Sequence, residues 1–268
     1  MTAGIGYKPA DSCLHRLNPL LKFVGLIALT IGIMVYPDVP LSLFLLALIL
    51  IGFGVAGIHP KLAMRRVKFL LLFSLLVFML QVLVTTNGLV LFYLVPSVSN
   101  SPPIIPVTTF GIQRGLSLAL RFLIIIFSSM LFVETTDPTL LAHSLTRVGI
   151  SYRYTFALVI ALRFLPLFDV ENHVVRMAQK ARGLSTNLRS FTSILRSIRF
   201  TFFPLLVSAL SRVDELSISM DGRGFGYMSQ RAYLRQSQWT HSDTLLAVSL
   251  IVFVVLCIVA SLNATFLM

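Results

Sequence analysis

Charge is what this chain has least of: 22 Lys and Arg with 10 Asp and Glu make up 12% of its 268 residues, about half the share of an average soluble domain. A soluble domain of this length has to cover its surface with polar groups, and too few are present to do so. Cysteine is nearly missing, with Cys13 and Cys257 at opposite ends, which indicates neither a disulfide framework nor a thiolate metal site. No Gly-Lys pair occurs anywhere, so the phosphate loop Gly-x-x-x-x-Gly-Lys-Ser/Thr, the usual route to ATP hydrolysis, is missing as well. The five histidines, His15, His59, His143, His173 and His241, are scattered without ligand spacing and read as surface or interface residues rather than metal ligands. No cofactor is implied.

What is present is oil and an excess of one sign of charge. The chain is 56% hydrophobic with a formal net charge of +12, a combination that excludes disordered and collagenous classes and points to a membrane protein. A helix spanning the hydrocarbon needs roughly 20 mostly apolar residues. Five stretches qualify: Leu20 to Tyr36, Leu41 to Gly57, Phe69 to Thr86, Ile112 to Val133 and Thr244 to Leu262. The segment Met1 to Asn18 is mixed and polar rather than a cleavable leader, so the first span is expected to stay as an anchor. Lys8, Arg16 and Lys22 accompany the start of the first span, and Lys61, Arg65, Arg66 and Lys68 lie between the second and third. Both clusters are expected on the cytoplasmic side, which leaves the Pro37 to Pro40 turn outside. Asn87 to Phe110 carries no charge and is expected as an external loop that partly dips into the bilayer, around Leu89 to Val95 and Pro102-Pro103. Arg114 and Arg121, near the outer end of span four, are placed to snorkel or to pair between helices.

The expected organisation is a four-span region 1–133, a charged cytoplasmic region 134–241 and a final transmembrane helix 242–268 that takes the C-terminus outside. Between Glu134 and Thr240 lie 20 of the 32 formal charges, and twelve of the thirteen basic residues are Arg. Arg makes forked hydrogen bonds to carboxylates that Lys cannot reproduce, which favours docking to a protein over loose lipid attraction. Arg189, Arg196 and Arg199, at helical spacing, fit either that role or anionic headgroups. Arg231 and Arg235 mark the boundary before the last span.

Within this region Thr136-Asp137-Pro138 is a helix start, with a capping side chain and then Pro at the first helical position. A short helix follows to about Arg147, broken near Gly149. Two longer helical patterns come next, Tyr152 to Arg182 and Arg189 to Asp221. Each is interrupted by one proline, Pro166 or Pro204, where a bend is expected because proline removes a backbone hydrogen bond. The apolar blocks Thr155 to Phe168 and Thr201 to Leu210 are too short to span and suit the membrane interface or another protein.

Both long helices end alike. The first closes on Ala181-Arg182-Gly183 and the second on Gly222-Arg223-Gly224. In each a small residue leaves the arginine stem uncovered. The Arg sits at the negative end of the helix dipole, and the Gly supplies a left-handed cap without steric cost. Two copies 41 residues apart, in the only strongly charged part of a membrane chain, resemble the paired Ala-Arg-Gly signature of the transmembrane T component of energy-coupling factor (ECF) transporters, a family that includes the cobalt-transport permease type. The second copy departs from the pattern with Gly222 where Ala is usual, which keeps the residue small but weakens the helix by roughly 1 kcal/mol. The entry His15-Arg16-Leu17-Asn18-Pro19 with Lys22, and Arg163-Phe164-Leu165-Pro166 followed by Asp169 and Glu171, are similar to the family's segments as well.

The resemblance implies an all-α integral membrane protein with about five transmembrane helices and long cytoplasmic coupling helices. It further implies a non-catalytic scaffold of the cell membrane that binds two ABC-type ATPase subunits through Ala181, Arg182, Gly183, Gly222, Arg223 and Gly224. The same scaffold would bind a substrate-binding S component through its helices, within the lipid bilayer and without nucleic acid. The cargo it implies is a vitamin or a transition-metal ion, selected by the S component. Two other classes stay open on the residues alone. Asp214, Glu215 and Asp221, the densest acidic group, suit a metal-assisted membrane enzyme acting on phospholipid-type substrates, although a salt-bridged helix face with Arg212 explains them more simply. A stand-alone secondary transporter would need polar residues at mid-depth, and spans one to three have almost none.

Overall fold

The computed structural model describes residues 12–36, 38–57, 60–95, 104–183, 191–227 and 241–266. Among them helices dominate: α1 (Cys13–Arg16), α2 (Pro19–Val35), α3 (Val39–Val55), α4 (Pro60–Val84), α5 (Thr109–Thr135), α6 (Pro138–Leu145), α7 (Tyr152–Ala181), α8 (Phe191–Gly222) and α9 (His241–Phe266). The chain divides into two units, one of Leu145–Gln236 with the first four residues, the other of Ile5–Ser144 with Ser237–Met268.

The second of these units holds the apolar helices. Thr109–Thr135 and Asp243–Leu262 are long and apolar enough to cross a membrane, while Pro19–Val35, Val39–Val55 and Lys68–Val84 are shorter apolar helices at the lower end of the crossing range. Their outward faces are oily, with Phe69 77%, Leu72 63% and Leu76 59% exposed along α4. Water disfavours a continuous apolar face of that kind, whereas lipid does not. The fold is that of an all-α integral membrane protein.

Inside the unit, Ile33, Leu45, Ile49, Phe53, Ile124 and Phe127 form a buried cluster between α2, α3 and α5, where the Phe53 and Phe127 rings meet edge to face at 6.1 Å. Small residues set the other approaches. A Cβ on Gly115 of α5 would meet the Phe78 carbonyl at 3.2 Å, and one on Gly111 would meet the Thr85 carbonyl at 3.2 Å. Gly111-x-x-x-Gly115 is thus the face on which α4 and α5 pack, in the manner of small-residue contacts between membrane helices. Ser74 adds a hydrogen bond from its hydroxyl to the Ala119 carbonyl, 3.1 Å.

The helix ends follow their sequence signals. Asn18 caps α2 through Leu20 N, 3.1 Å, ahead of Pro19 at the first position. Asp137 Oδ1 accepts from Thr139 N at 2.9 Å and starts α6 at Pro138. One end of the unit is tied together by polar groups: Asp243, fully buried at the start of α9, accepts from Asn18 N at 2.9 Å. Lys22 Nζ donates to the carbonyl of Thr135, the last residue of α5, at 2.9 Å. The starts of α2 and α9 and the end of α5 therefore share one end of the bundle.

Helix α4 begins at Pro60, so the basic stretch is helical too, and the apolar part Lys68–Val84 agrees with the expected third span. One expectation is corrected. The uncharged stretch 87–110 is not a plain loop: β1 (Val90–Val95) and β2 (Ile104–Thr108) form an antiparallel hairpin, with Tyr93 opposite Pro106 and Val95 opposite Ile104. Its run Val-Leu-Phe-Tyr-Leu-Val consists mainly of strand formers. Thr108 closes it, donating to the Thr85 carbonyl at 3.1 Å and capping α5 by accepting from Gly111 N at 3.0 Å. Pro37, His59 and Pro102-Pro103 lie outside the described residues.

Candidate functional site

The unit 145–236 is built on α7 and α8. Thr146–Val148 make one 3-10 turn, and Gly149, at φ 101°, ends it in the left-handed conformation. The chain then starts α7 at Tyr152. Both long helices run unbroken through their prolines, Pro166 and Pro204, and both prolines are exposed.

The two helices pair antiparallel. Ser208 Oγ donates to Glu171 Oε1 at 2.5 Å, and Arg212 donates to the same oxygen at 3.2 Å. Eight residues further along α7, Gln179 Nε2 donates to the Phe200 carbonyl at 3.3 Å. At the other extreme, Phe225, just past α8, places its ring 4.5 Å from that of Phe156 near the start of α7. These contacts keep one register, and the Glu171 clasp lies close to the middle of both helices. The Ser208 hydroxyl first, and then the Arg212 guanidinium, hold the Glu171 carboxyl below the usual carboxylate range. Glu171 Oε2 and Arg212 Nε find no partner among the described residues.

The antiparallel arrangement sends the two signatures to opposite ends of the pair. From Phe156, beside which Phe225 sits, to Arg182 is 26 residues of helix, about 39 Å at 1.5 Å per residue. At one end α7 finishes at Ala181 with Arg182 as its cap. Arg182 N donates to the Ala178 carbonyl at 3.2 Å, and Gly183, at φ 80°, donates to the Lys180 carbonyl at 3.0 Å. At the other end Gly222 is the last helical residue. Arg223 N donates to the Met220 carbonyl at 3.1 Å, Gly224 N to Asp221 at 2.9 Å and Phe225 N to Met220 at 3.0 Å, with Gly224 at φ 66°. The second turn has the crossed bonds of a Schellman-type end, which a left-handed glycine makes feasible.

Ala181, Arg182 and Gly183, like Gly222, Arg223 and Gly224, are all exposed. Neither guanidinium is tied to a described residue by a hydrogen bond or ion pair. Each is an exposed cation on a glycine-capped turn, where a helix C-terminus concentrates partial negative charge and beside a residue too small to cover it. An exposed guanidinium of this kind can make forked hydrogen bonds to carboxylates.

The other candidates separate. Asp214, Glu215 and Asp221 are exposed along the last turns of α8, and among the described residues no three His, Cys, Asp or Glu come close enough to hold a metal. The acidic group therefore does not assemble the metal site that an enzyme reading requires. Arg212 pairs with Glu171 of the neighbouring helix rather than with these acids, which corrects the expected salt-bridged face. Arg121 points its NH1 toward Met34 Sδ at 3.8 Å, and Arg114 lies over the Phe110 ring at 5.8 Å. Arg199 is exposed; Arg189, Arg231 and Arg235 and the side chain of Arg196 lie outside the described residues.

Sequence reasoning missed the Glu171, Ser208 and Arg212 clasp and the aromatic contact of Phe225. The signal for the clasp was an acid on one helix and an Arg on the other, near their midpoints. It becomes visible only once the two helices are paired antiparallel.

Comparison with known proteins gives a consistent answer. The family model described as cobalt transport protein, CbiQ, matches residues 10–234. The energy-coupling factor transporter transmembrane protein EcfT of Lactococcus lactis subsp. cremoris is 28% identical over 264 residues, covering 95% of this chain and 96% of that protein. The EcfT of Listeria innocua is 30% identical over 263 residues, covering 92% and 93%. A putative ABC transporter ATP-binding protein of Bifidobacterium longum is 26% identical over 255 residues, where 92% of this chain matches 32% of that longer protein.

Proposed function

Because the chain belongs to the CbiQ family of cobalt transport proteins, and within it to the transmembrane T components of ECF transporters, we propose that its two capped arginine turns dock two ABC-type ATPase subunits. The observation that carries this reading is the pair itself: Arg182 and Arg223, each exposed, each on a glycine-capped helix end, at opposite ends of one antiparallel pair. One membrane subunit so equipped can engage two copies of a soluble partner at once. The Bifidobacterium relative supports it, since a segment like this chain is there part of a protein named for ATP binding.

In this reading the protein supplies no catalysis. ATP binding draws the two ATPases together, the Arg182 and Arg223 ends follow, and the two helices bend between those ends. Pro166 and Pro204, each missing one backbone donor, are where α7 and α8 bend. The apolar stretches Phe156 to Phe168 and Phe200 to Leu210 then shift beneath a bound S component. Coupling follows only if the partners bind the two arrangements with different affinity. The cargo is a vitamin or a transition-metal ion, and the S component selects it. The end of the bundle that gathers Asn18, Lys22, Thr135 and Asp243 faces the cytoplasm, by the excess of Lys and Arg around it. The Pro37 to Pro40 turn and the C-terminus lie outside.

The test is co-purification of the full chain with its two ATPases. Arg182→Ala with Arg223→Ala is expected to abolish association while leaving the protein in the membrane. Intact association in the double variant removes the docking role.

A further inference from the structure

The second signature does not end at Gly224. Phe225 follows at once, its N–H turned back to the Met220 carbonyl at 3.0 Å and its ring set against the first turns of the other helix. The ring lies 4.5 Å from Phe156 and 6.1 Å from Tyr152, and those two rings stack on each other at 5.6 Å. A turn held only by its backbone bonds can rotate as a body about the end of α8. This one meets a second point, off the helix axis, through the contacts of its ring with Phe156 and Tyr152. The turn that carries Arg223 is thereby referred to α7 as well as to α8.

We propose that Phe225 is a positioning residue for Arg223: seated on Tyr152 and Phe156, it aims the second docking turn and links it to the start of α7. The inference rests on the reading that Arg223 docks an ATPase. One consequence is mechanical. Helix α7 carries Arg182 at its own C-terminus and, through the aromatic contact at its N-terminal end, steadies Arg223, so a movement of α7 reaches both docking points. Tilted aromatic contacts of this kind are directional, which suits aiming better than an aliphatic contact would.

The experiment measures the affinity of the full chain, in lipid nanodiscs, for its own ATPase pair in Phe225→Ala, Phe225→Tyr, Arg223→Ala, Arg182→Ala and the combinations. Phe225→Ala is expected to weaken association roughly tenfold, the loss of a packed aromatic pair, and Phe225→Tyr to restore it. Phe225→Ala is expected to add nothing in an Arg223→Ala background and its full effect in an Arg182→Ala background. A merely structural role predicts equal loss in both backgrounds, and that result overturns the proposal. So does an Arg223→Ala variant that loses affinity while Phe225→Ala does not. An Arg223→Ala variant that binds normally refutes the docking reading itself, and the positioning role with it. Should Phe225→Ala fail to fold, Phe225→Leu with Phe156→Leu tests the same dependence on Arg223, with the ring contact removed and the apolar volume kept.

Discussion

Two glycines flank Arg223, and the same substitution in each is expected to act in opposite directions. Gly222 is the last residue of α8, has helical backbone angles, and a Cβ there meets nothing within 4 Å. Alanine costs no steric strain at that position and gains helix propensity, up to about 1 kcal/mol in a helix interior and less in the final turn. Gly224 also has open space around a Cβ, but its φ is 66°. Alanine in that region costs about 1–2 kcal/mol, offset by about 0.4–1 kcal/mol from the stiffer unfolded chain. Because neither site has a clash, the contrast isolates backbone conformation.

The difference between the two variants, about 1–2 kcal/mol, becomes a difference in affinity if the capped turn is the form that docks. A strained Gly224→Ala turn leaves the left-handed region when free, and binding has to restore it, so apparent affinity falls with the fraction still competent. Roughly 1.4 kcal/mol corresponds to tenfold, which puts Gly224→Ala about five- to thirtyfold weaker than Gly222→Ala in association with the ATPases. The assay is titration of ATPase onto each variant in nanodiscs, with thermal unfolding run in parallel. Gly222→Ala should bind at least as tightly as the native chain. If Gly224→Ala binds equally well, or Gly222→Ala binds worse, the capped turn is not what the partner reads and the argument from glycine fails.

The clasp and the buried end of the bundle give further expectations. Glu171→Gln removes the charged partner of Arg212 and weakens the acceptor of Ser208. Because the group is partly exposed and solvent screens it, the loss is about 1 kcal/mol, read as a lower melting temperature and fewer cargo molecules moved per ATP. Since the folded state holds the Glu171 carboxyl below its ordinary range, its contribution is complete above the ordinary carboxylate pKa. It fades as pH falls through the lowered value, so the native chain and Glu171→Gln should converge in stability toward acid. Asp243→Ala leaves the Asn18 N–H without its buried acceptor, a loss of about 1–3 kcal/mol. Trypsin sensitivity near Lys22 checks it, with unchanged cleavage counting against the tie between α2 and α9.

The helices were legible because their signals are local. Asp137-Pro138, Gly149 and Gly183 act within one turn of themselves, and each bounds an element where expected. The hairpin 90–108 was not legible, because charge, the property used to read that stretch, does not distinguish a strand from a lipid-dipping loop; its β-branched and aromatic residues carried the distinction. Gly111 and Gly115 look like two ordinary glycines until α4 lies against them. Asp243 reads as a surface charge ahead of a span, and only the fold brings Asn18, 225 residues away in sequence, to its carboxylate. What was missed in each case depends on a pairing between elements, which periodicity along one chain segment does not encode.

The same limit applies to the two arginine turns, and there it decides the mechanism. Sequence places both at helix C-termini but is silent on whether the helices run side by side or head to tail. Parallel helices would set Arg182 and Arg223 together, as one basic tip for a single groove. The contacts of Glu171 with Ser208 and of Gln179 with Phe200 require the antiparallel register, and about 39 Å of helix then separates the two docking points. Docked as proposed, they need two grooves on two subunits. In that reading, a closure that changes their spacing bends the helices, since sliding along the axis would break the Glu171 and Phe225 contacts together and turning about the clasp would part Phe225 from Phe156. The clasp resists sliding, because Ser208 and Arg212 both hold one carboxylate oxygen of Glu171. Under the docking proposal, a pair held at the clasp and at Phe225 passes a change in spacing at its tips into bending at Pro166 and Pro204, within the apolar stretches of both helices.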